Sequence, residues 1–350
     1  MKLGKKFIAI ALAGMMVVGT VAMSLADGSK VVTLGVDLSA EQKQTMLDYF
    51  GVKKDEVMLI DVSNAEERQY LEGVASEAQL GRRTISCAYV EPTSSGGINV
   101  KTANLTWVTG SMIASTLTTA GLTDANVIAA APYAVSGTGA LTGVIKAFED
   151  ASGESLDETK KELANEELVT TGDLGDEIGQ DKATGIVNDV KNEVIKNGTS
   201  DTVQIADIIN NVTNNYNITL TPEQIEALTS LMQKIGQQNY DYNSIKDTLK
   251  NVQYNVSENL AAAGESVDTV GIFEKIKHWF SGLFGSDTGI LSQTDESALG
   301  SDAVISATQQ DIENAANEAL TQVNDAYNKA KDAGVFDKIK AWFENLISGL

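Results

Sequence analysis

A change of character at Ser152 and Gly153 constrains the fold of this chain more than any other feature of its sequence. Before it, short β-branched runs alternate with stretches of helical periodicity. After it, strand signals vanish, and Glu, Asp, Asn, Lys and Ala recur at helical spacing. Alternating strands and helices build a mixed sheet in layers, whereas consecutive amphipathic helices pack as an all-α unit. The expected fold is therefore an α/β domain (a mixed sheet with flanking helices) over residues 27–150, an all-helical domain over 151–265, and an amphipathic helical extension over 266–350.

Within the first part, Val31 to Val36 reads as a strand. Ser39 then caps a helix with Gln42 at the third position, Met46, Leu47 and Phe50 on one face, and Gly51 as the stop. Val57 to Val62 is a second strand, and Asn64 is placed to cap a short helix through Tyr70. Arg83 to Glu91 and Ile98 to Val108 read as two strands joined by a hairpin loop from Pro92 to Gly97. A helix near Ser111 to Ala120, a strand at Asn126 to Ala131 and a helix from about Gly139 to Asp150 complete the unit. The second part predicts helices at Ser155 to Val169, Asp173 to Asn197, Thr202 to Tyr216, Pro222 to Gly236 and Tyr242 to Ala262, with Thr221 as cap and Pro222 at the first helical position.

The N-terminus carries Lys2, Lys5 and Lys6 followed by an uncharged apolar stretch from Phe7 to about Val21. That pattern is an export signal, with Ser24 and Ala26 suited to cleavage before Asp27, so 1–26 is expected to be a signal peptide and the mature chain to work outside the cytoplasm or on the cell envelope. Loss of three lysines and no acid takes the formal charge from −22 to about −25, a surface that repels nucleic acid. Only Arg68, Arg82 and Arg83 supply guanidinium groups, which argues against a phosphate clamp. One cysteine, Cys87, excludes an intramolecular disulfide, and one histidine, His278, with that cysteine gives zinc little to bind. Alternation places Cys87 on the face of Ile85 and Tyr89, where a small buried side chain is expected. No cofactor and no metal are expected.

Two places offer themselves as sites. The turn Ser136-Gly137-Thr138-Gly139 follows a strand and opens a helix, a geometry whose free N–H groups cradle a phosphate or carboxylate, although its spacing departs from the dinucleotide fingerprint and a plain tight turn explains it as well. Carboxylate neighbours Glu149 and Asp150, or Glu166 and Glu167, are the pairs a glycosidase could use, and the acidic run Asp173 to Asp181 lacks the ligand spacing of a calcium loop.

The other place is a repeat. Gly271 to Phe284 recurs 63 residues later as Gly334 to Ile347, and each copy carries an apolar stripe with Trp279 and Phe280, or Trp342 and Phe343, at its centre. A Gly/Ser/Asp-rich linker, Gly285 to Gly300, and a long Ala/Asn/Gln-rich helix, about Asp302 to Asp332, are expected between the copies. Three readings stay open for the stripes: packing on the protein itself, binding a partner groove, or lying on a membrane surface beside Lys275, Lys277, Lys338 and Lys340.

Several longer runs, Val31 to Lys43, Tyr49 to Val52, Ile85 to Pro92, Asn104 to Thr109 and Val127 to Gly143, resemble the YpuA-like family, exported proteins of Gram-positive bacteria grouped under a domain of unknown function. The resemblance covers about residues 30–260. It implies an extracellular or envelope location and brings no catalytic residues; the repeated helices depart from the family pattern. The expected function is a non-enzymatic binding protein whose C-terminal helices contact an envelope protein or the membrane surface. A secreted hydrolase acting on cell-wall glycan or peptide through carboxylates, and a structural module of an envelope assembly, stand as alternatives, and the oligomeric state is left open.

Overall fold

The computed structural model describes residues 30–265 and 289–308. The expected signal peptide, both Trp-Phe repeats and the chain beyond Thr308 lie outside the described residues.

Six strands form one mixed sheet: β1 (Val31–Gly35), β2 (Met58–Val62), β3 (Cys87–Pro92), β4 (Ile98–Leu105), β5 (Ala125–Val135) and β6 (Ile305–Ala307), in the spatial order β2-β1-β3-β5-β4-β6. β1 and β2 run parallel, as do β4 and β5, while β3 and β6 run against their neighbours. Among the described residues ten helices accompany them: α1 (Ala40–Tyr49), α2 (Asn64–Leu71), α3 (Glu77–Leu80), α4 (Gly110–Ala120), α5 (Ala140–Ser152), α6 (Glu158–Ile178), α7 (Gln180–Asn197), α8 (Thr202–Asn215), α9 (Pro222–Gly236) and α10 (Tyr242–Ala262). The mixed sheet followed by a run of helices is the architecture that the change at Gly153 implied.

The expected hairpin between β3 and β4 does not exist, because β5 lies between them. Val127 to Ala131 are buried on both faces, as a central strand must be, and β5 claims the middle of the sheet. The loop from Pro92 to Gly97 instead straddles the start of β5: Thr93 N–H donates to Asp124 O, Gly97 N–H to Asp124 Oδ1, and Ala125 N–H to Gly97 O. Six residues are enough to cross two strand spacings of about 4.8 Å.

Cross-strand partners share a face. Thr33, Ala88, Ala129 and Thr102 look toward α5 and α4, and a Cβ on Gly143 of α5 would come within 2.9 Å of Thr33 Oγ1. Val32, Tyr89, Ile128 and Lys101 look the other way, toward α1 and the stretch 289–299. The expected linker is thus in part a packed layer: residues 289–292 and 296–299 form two 3-10 turns, Ile290 and Leu291 are buried, and the supposed start of a long helix at 305–307 is strand β6. Helical composition gives way there to the open edge of β4, whose backbone groups pair with the extended segment.

α4 joins the sheet to the remaining helices, and all eleven of its residues are buried. An uncharged sequence of small, hydroxyl and aliphatic residues suits a helix covered all round, and Thr116 and Thr118 satisfy their hydroxyls on carbonyls one turn back. α6, α7 and α10 pack on its outer side.

Local signals place the ends. Ser39 with Gln42 is a capping box as expected, Thr221 caps α9 as expected and also forms a box with Gln224, whereas α2 is capped by Ser63 with Glu66, one residue before Asn64. The acidic run Asp173 to Asp181 is not a loop: it is the last turn of α6, a break at Gly179 with φ 94°, and the first turn of α7.

Candidate functional site at the carboxyl end of the sheet

The parallel strands β1, β2 and β5 all deliver their exits to one end of the sheet, the end at which α/β proteins place ligands. β1 exits into Asp37, β2 into Ser63 and α2, and β5 into the turn Ser136 to Gly139 and α5. The peptide from Gly81 to Thr84 closes the end from the side: Arg83 Nη2 donates to Asp37 O at 3.1 Å, and Asp37 Oδ2 accepts from Thr84 N–H at 2.8 Å. Arg68 holds Glu77 with both guanidinium nitrogens at 2.8 Å and reaches Gly81 O at 2.9 Å. The Arg68 guanidinium is thus engaged by Glu77 and by the Gly81 carbonyl.

The turn itself is built for close approach. Gly137 adopts φ 92°, in the left-handed region that glycine enters freely. Thr138 Oγ1 donates to Gln79 O at 2.8 Å, with Ser136 Oγ 3.4 Å away from it. Of the four residues only Ser136 is exposed. At Gly139, the first residue before α5, a Cβ would fall 2.1 Å from Glu67 Oε1. The place where a bound phosphate or carboxylate would sit at the start of α5 is thus occupied by the protein's own Glu67 carboxyl group.

Glu67 is 3% exposed. Burial pushes its carboxyl group up to about 7, aided by the nearby Asp37 and Glu66 carboxylates and opposed by hydrogen bonding, including the 3.2 Å donation from Asn64 Nδ2. Sequence reading missed it. The available signal was the spacing of Glu67 and Leu71 one turn apart on the inward face of α2, but a glutamate there looks like any other on a short charged helix.

The carboxylates singled out from the sequence sit elsewhere. Glu149 takes Lys161 Nζ at 3.1 Å. Glu166 points outward to Lys234 Nζ at 2.7 Å and Glu167 inward to Lys191 Nζ at 2.7 Å, as neighbours on a helix must diverge. In the acidic run, Asp173 accepts from Gln79, Asp176 from Trp107 Nε1, and Asp181 from Asn259. The other strongly raised acid, Asp189, is pushed by burial to about 6 among Tyr216, Gln253 and Asn188, far along the chain in α7. Glu67 lies on α2 and Asp189 on α7, and the two share none of these hydrogen-bond partners. Cys87 is buried, and desolvation lifts its thiol to about 12, the behaviour of a core side chain. Among the described residues no group of three His, Cys, Asp or Glu side chains comes together in a way that could hold a metal ion, and no helix is long and apolar enough to cross a membrane.

The fold and this site define a class: a mixed α/β sheet backed by a helical layer, whose strand-end cradle is filled from within. The chain belongs to the family described as "Protein of unknown function (DUF1002)", whose model matches residues 34–252. It is similar to the "Uncharacterized protein YpuA" of Bacillus subtilis (strain 168), 37% identical over 273 residues that cover 77% of this chain and 92% of that protein. No solved structure matches.

Proposed function

We propose that the protein is an exported, envelope-associated binding protein without catalytic activity, in which the sheet and helices form a scaffold and the Trp-Phe repeats make the contact. The observation that carries the reading is the docking of residues 289–308 on the sheet. In the chain, the repeat at 271–284 is bracketed by two fixed points: Glu265, ion-paired to Lys182, and Ile290, buried beneath the sheet. A binding element held at both ends loses less freedom on engaging a partner than one on a free tail, and a second copy adds avidity.

The test is fractionation of producing cells into medium, wall and membrane, comparing the native chain with a variant carrying Trp279→Ala, Phe280→Ala, Trp342→Ala and Phe343→Ala. Release of the variant from an envelope fraction into the medium is expected; an unchanged distribution overturns the repeats' role. Truncation near Gly264 is the wrong comparison, because it also removes β6 and Ile290 and so damages the sheet. Truncation after Thr308 removes residues 309–350, and with them the second repeat, while it leaves β6 and the first repeat in place.

The hydrolase alternative rests on one observation, the carboxyl group of Glu67 held near neutrality. Turnover of cell-wall glycan or peptide that Glu67→Gln abolishes would establish it in place of the binding reading.

A further inference from the structure

One edge of the sheet is closed by a strand delivered from about two hundred residues away in the chain. In the β4–β6 pair, Lys101 lies opposite Ala307, Thr102 opposite Ser306, and Ala103 opposite Ile305. Thr308 continues the pairing with its hydroxyl, which accepts from Val100 N–H at 3.0 Å and donates to Val100 O at 3.2 Å. Asn104 N–H donates to Val304 O at 2.8 Å, and Asn104 Oδ1 accepts from Val304 N–H at 3.2 Å.

The preceding residues fill the adjoining face. Ile290 is fully buried, and its N–H donates to Glu91 Oε2 at 3.1 Å. Asp295 N–H donates to Tyr49 O at 2.8 Å. Lys101 is buried, and its ammonium donates to Thr294 Oγ1 at 2.7 Å and Glu296 Oε1 at 2.9 Å, both from the segment. The groove beside β4 is thus specific for an extended peptide with an aliphatic side chain at its start, an acid to meet Lys101, and a short strand ending in a hydroxyl.

All of these partners lie between Tyr49 and Asn126, in the sheet half, and none on α10, the element that precedes the segment in the chain. Between Glu265 and Gly289 run residues 266–288. A stretch of that length reaches about 35 Å even if wholly helical, and about 75 Å extended. Against a radius of gyration of about 18 Å for a body of this size, either reach extends to the groove of a neighbouring molecule.

We propose that the β4 edge is a strand-acceptor site for the 289–308 segment of a second copy of this chain, so that two molecules exchange segments in a reciprocal dimer. A second copy is the partner that carries Ile290, Glu296 and Thr308 in the required register. The contacts are the same within one molecule and between two, so concentration against the effective concentration of the tether, of millimolar order, sets the balance. Exchange grows where chains are crowded together. The inference stands apart from the binding role of the repeats.

Disulfide trapping between two full-length single variants tests it. Thr102→Cys and Ser306→Cys conserve volume and place thiols on directly opposed residues, whose Cβ atoms lie about 4.5–5.5 Å apart in such a pair. The native Cys87 is buried and takes no part. After the two variants are incubated together at high concentration and oxidised, a mixed covalent dimer is expected, roughly tenfold above the self-dimer of Ser306→Cys alone and rising with concentration. The double variant, Thr102→Cys with Ser306→Cys, supplies the control by closing its disulfide within one chain. A closed control with no mixed dimer above the self-dimer overturns the exchange, and a control that fails to close overturns the strand pairing on which it rests. Repeating the trap with the four-alanine repeat variant separates this result from the binding reading, since the exchange needs none of those aromatics.

Discussion

The sheet half and the helical half of this molecule are buried by different means. Around the sheet, Val31, Val32, Val90, Val100, Val127 and Ile128 fill the interior with aliphatic side chains, and stability there follows area and fit. Where α6, α7 and α10 meet α4 the interior carries a polar network among its aliphatic side chains. Lys191 and Glu167 are an ion pair at 0% exposure each, and Lys191 Nζ also donates to Ser115 O at 2.6 Å, Ser115 Oγ at 2.9 Å and Thr119 Oγ1 at 3.1 Å. Asn188 bridges to Leu249 O at 2.9 Å, and Tyr240 Oη donates to Thr119 O at 2.8 Å. Burial presses Lys191 toward deprotonation, and the Glu167 charge resists it. An apolar core tolerates any side chain of the right volume. A polar one holds its helices in a single arrangement, because each displaced group strands a partner.

The largest expected effect tests that contrast directly. Lys191→Met leaves the Glu167 carboxylate buried without a cation and costs about 3–5 kcal/mol in denaturant unfolding, while Lys191→Met combined with Glu167→Leu recovers most of the loss. A double variant as unstable as the single one would mean that the loss comes from packing and not from a stranded charge.

Next comes Ile290→Ala, which opens a cavity between the 289–308 segment and the sheet at a cost of about 2–4 kcal/mol. Hydrogen exchange is expected to quicken at β4 and β6 and to stay unchanged along α7. Exchange that spread evenly would mean that α4 couples the two halves into one cooperative unit.

A smaller effect concerns Glu67. Its folded-state carboxyl group titrates near 7, above the usual carboxylic range, so the folded protein binds the proton more tightly than the unfolded chain. The associated stability is complete below the ordinary carboxyl range, near pH 4.5, and is lost as the pH rises through 7. Wild type is expected to lose about 1–3 kcal/mol between pH 4.5 and 8 through this group, and Glu67→Gln to flatten that slope. Urea midpoints taken across this range decide the matter, and a variant with the wild-type slope removes Glu67 as its source.

The smallest is a control on the surface: Lys196→Ala removes the exposed pair with Glu193 and changes stability by less than about 0.5 kcal/mol. A larger loss would mean that the helical half is sensitive throughout and not only at its buried pair.

How much of this was legible in the sequence depends on the range of the forces involved. Ser39 with Gln42, Thr221 with Pro222, and Gly51 as a stop act within one helical turn, and the structure repeats them. The choice of Ser63 over Asn64 as cap separates two adjacent residues that both cap well. Alternation in Ile85 to Val90 reported burial but not which strand lies beside it, so β5 could displace β4 from the expected hairpin without leaving a trace in either run. The strand at Ile305 to Ala307 was hidden for a related reason: three residues carry no period, and the edge of β4 imposes their conformation. At the candidate site, the Gly137 turn and its geometry were readable. The occupant of the cradle was not, because Glu67 arrives there through the packing of α2 against the start of α5.

The β4–β6 pairing also sets an order of events. Val100 and Thr308 are 208 positions apart, and a contact of that separation is paid for in chain entropy before it returns any bonding. β6 is therefore expected to join late, after the rest of the sheet has formed, leaving the edge of β4 facing water until then with its backbone groups unpaired. Lys101 stands on that open edge, and a lysine is the side chain that keeps bare edges from pairing with strangers. The same ammonium that Glu296 later neutralises thus guards the half-finished sheet: first a repellent, then an anchor.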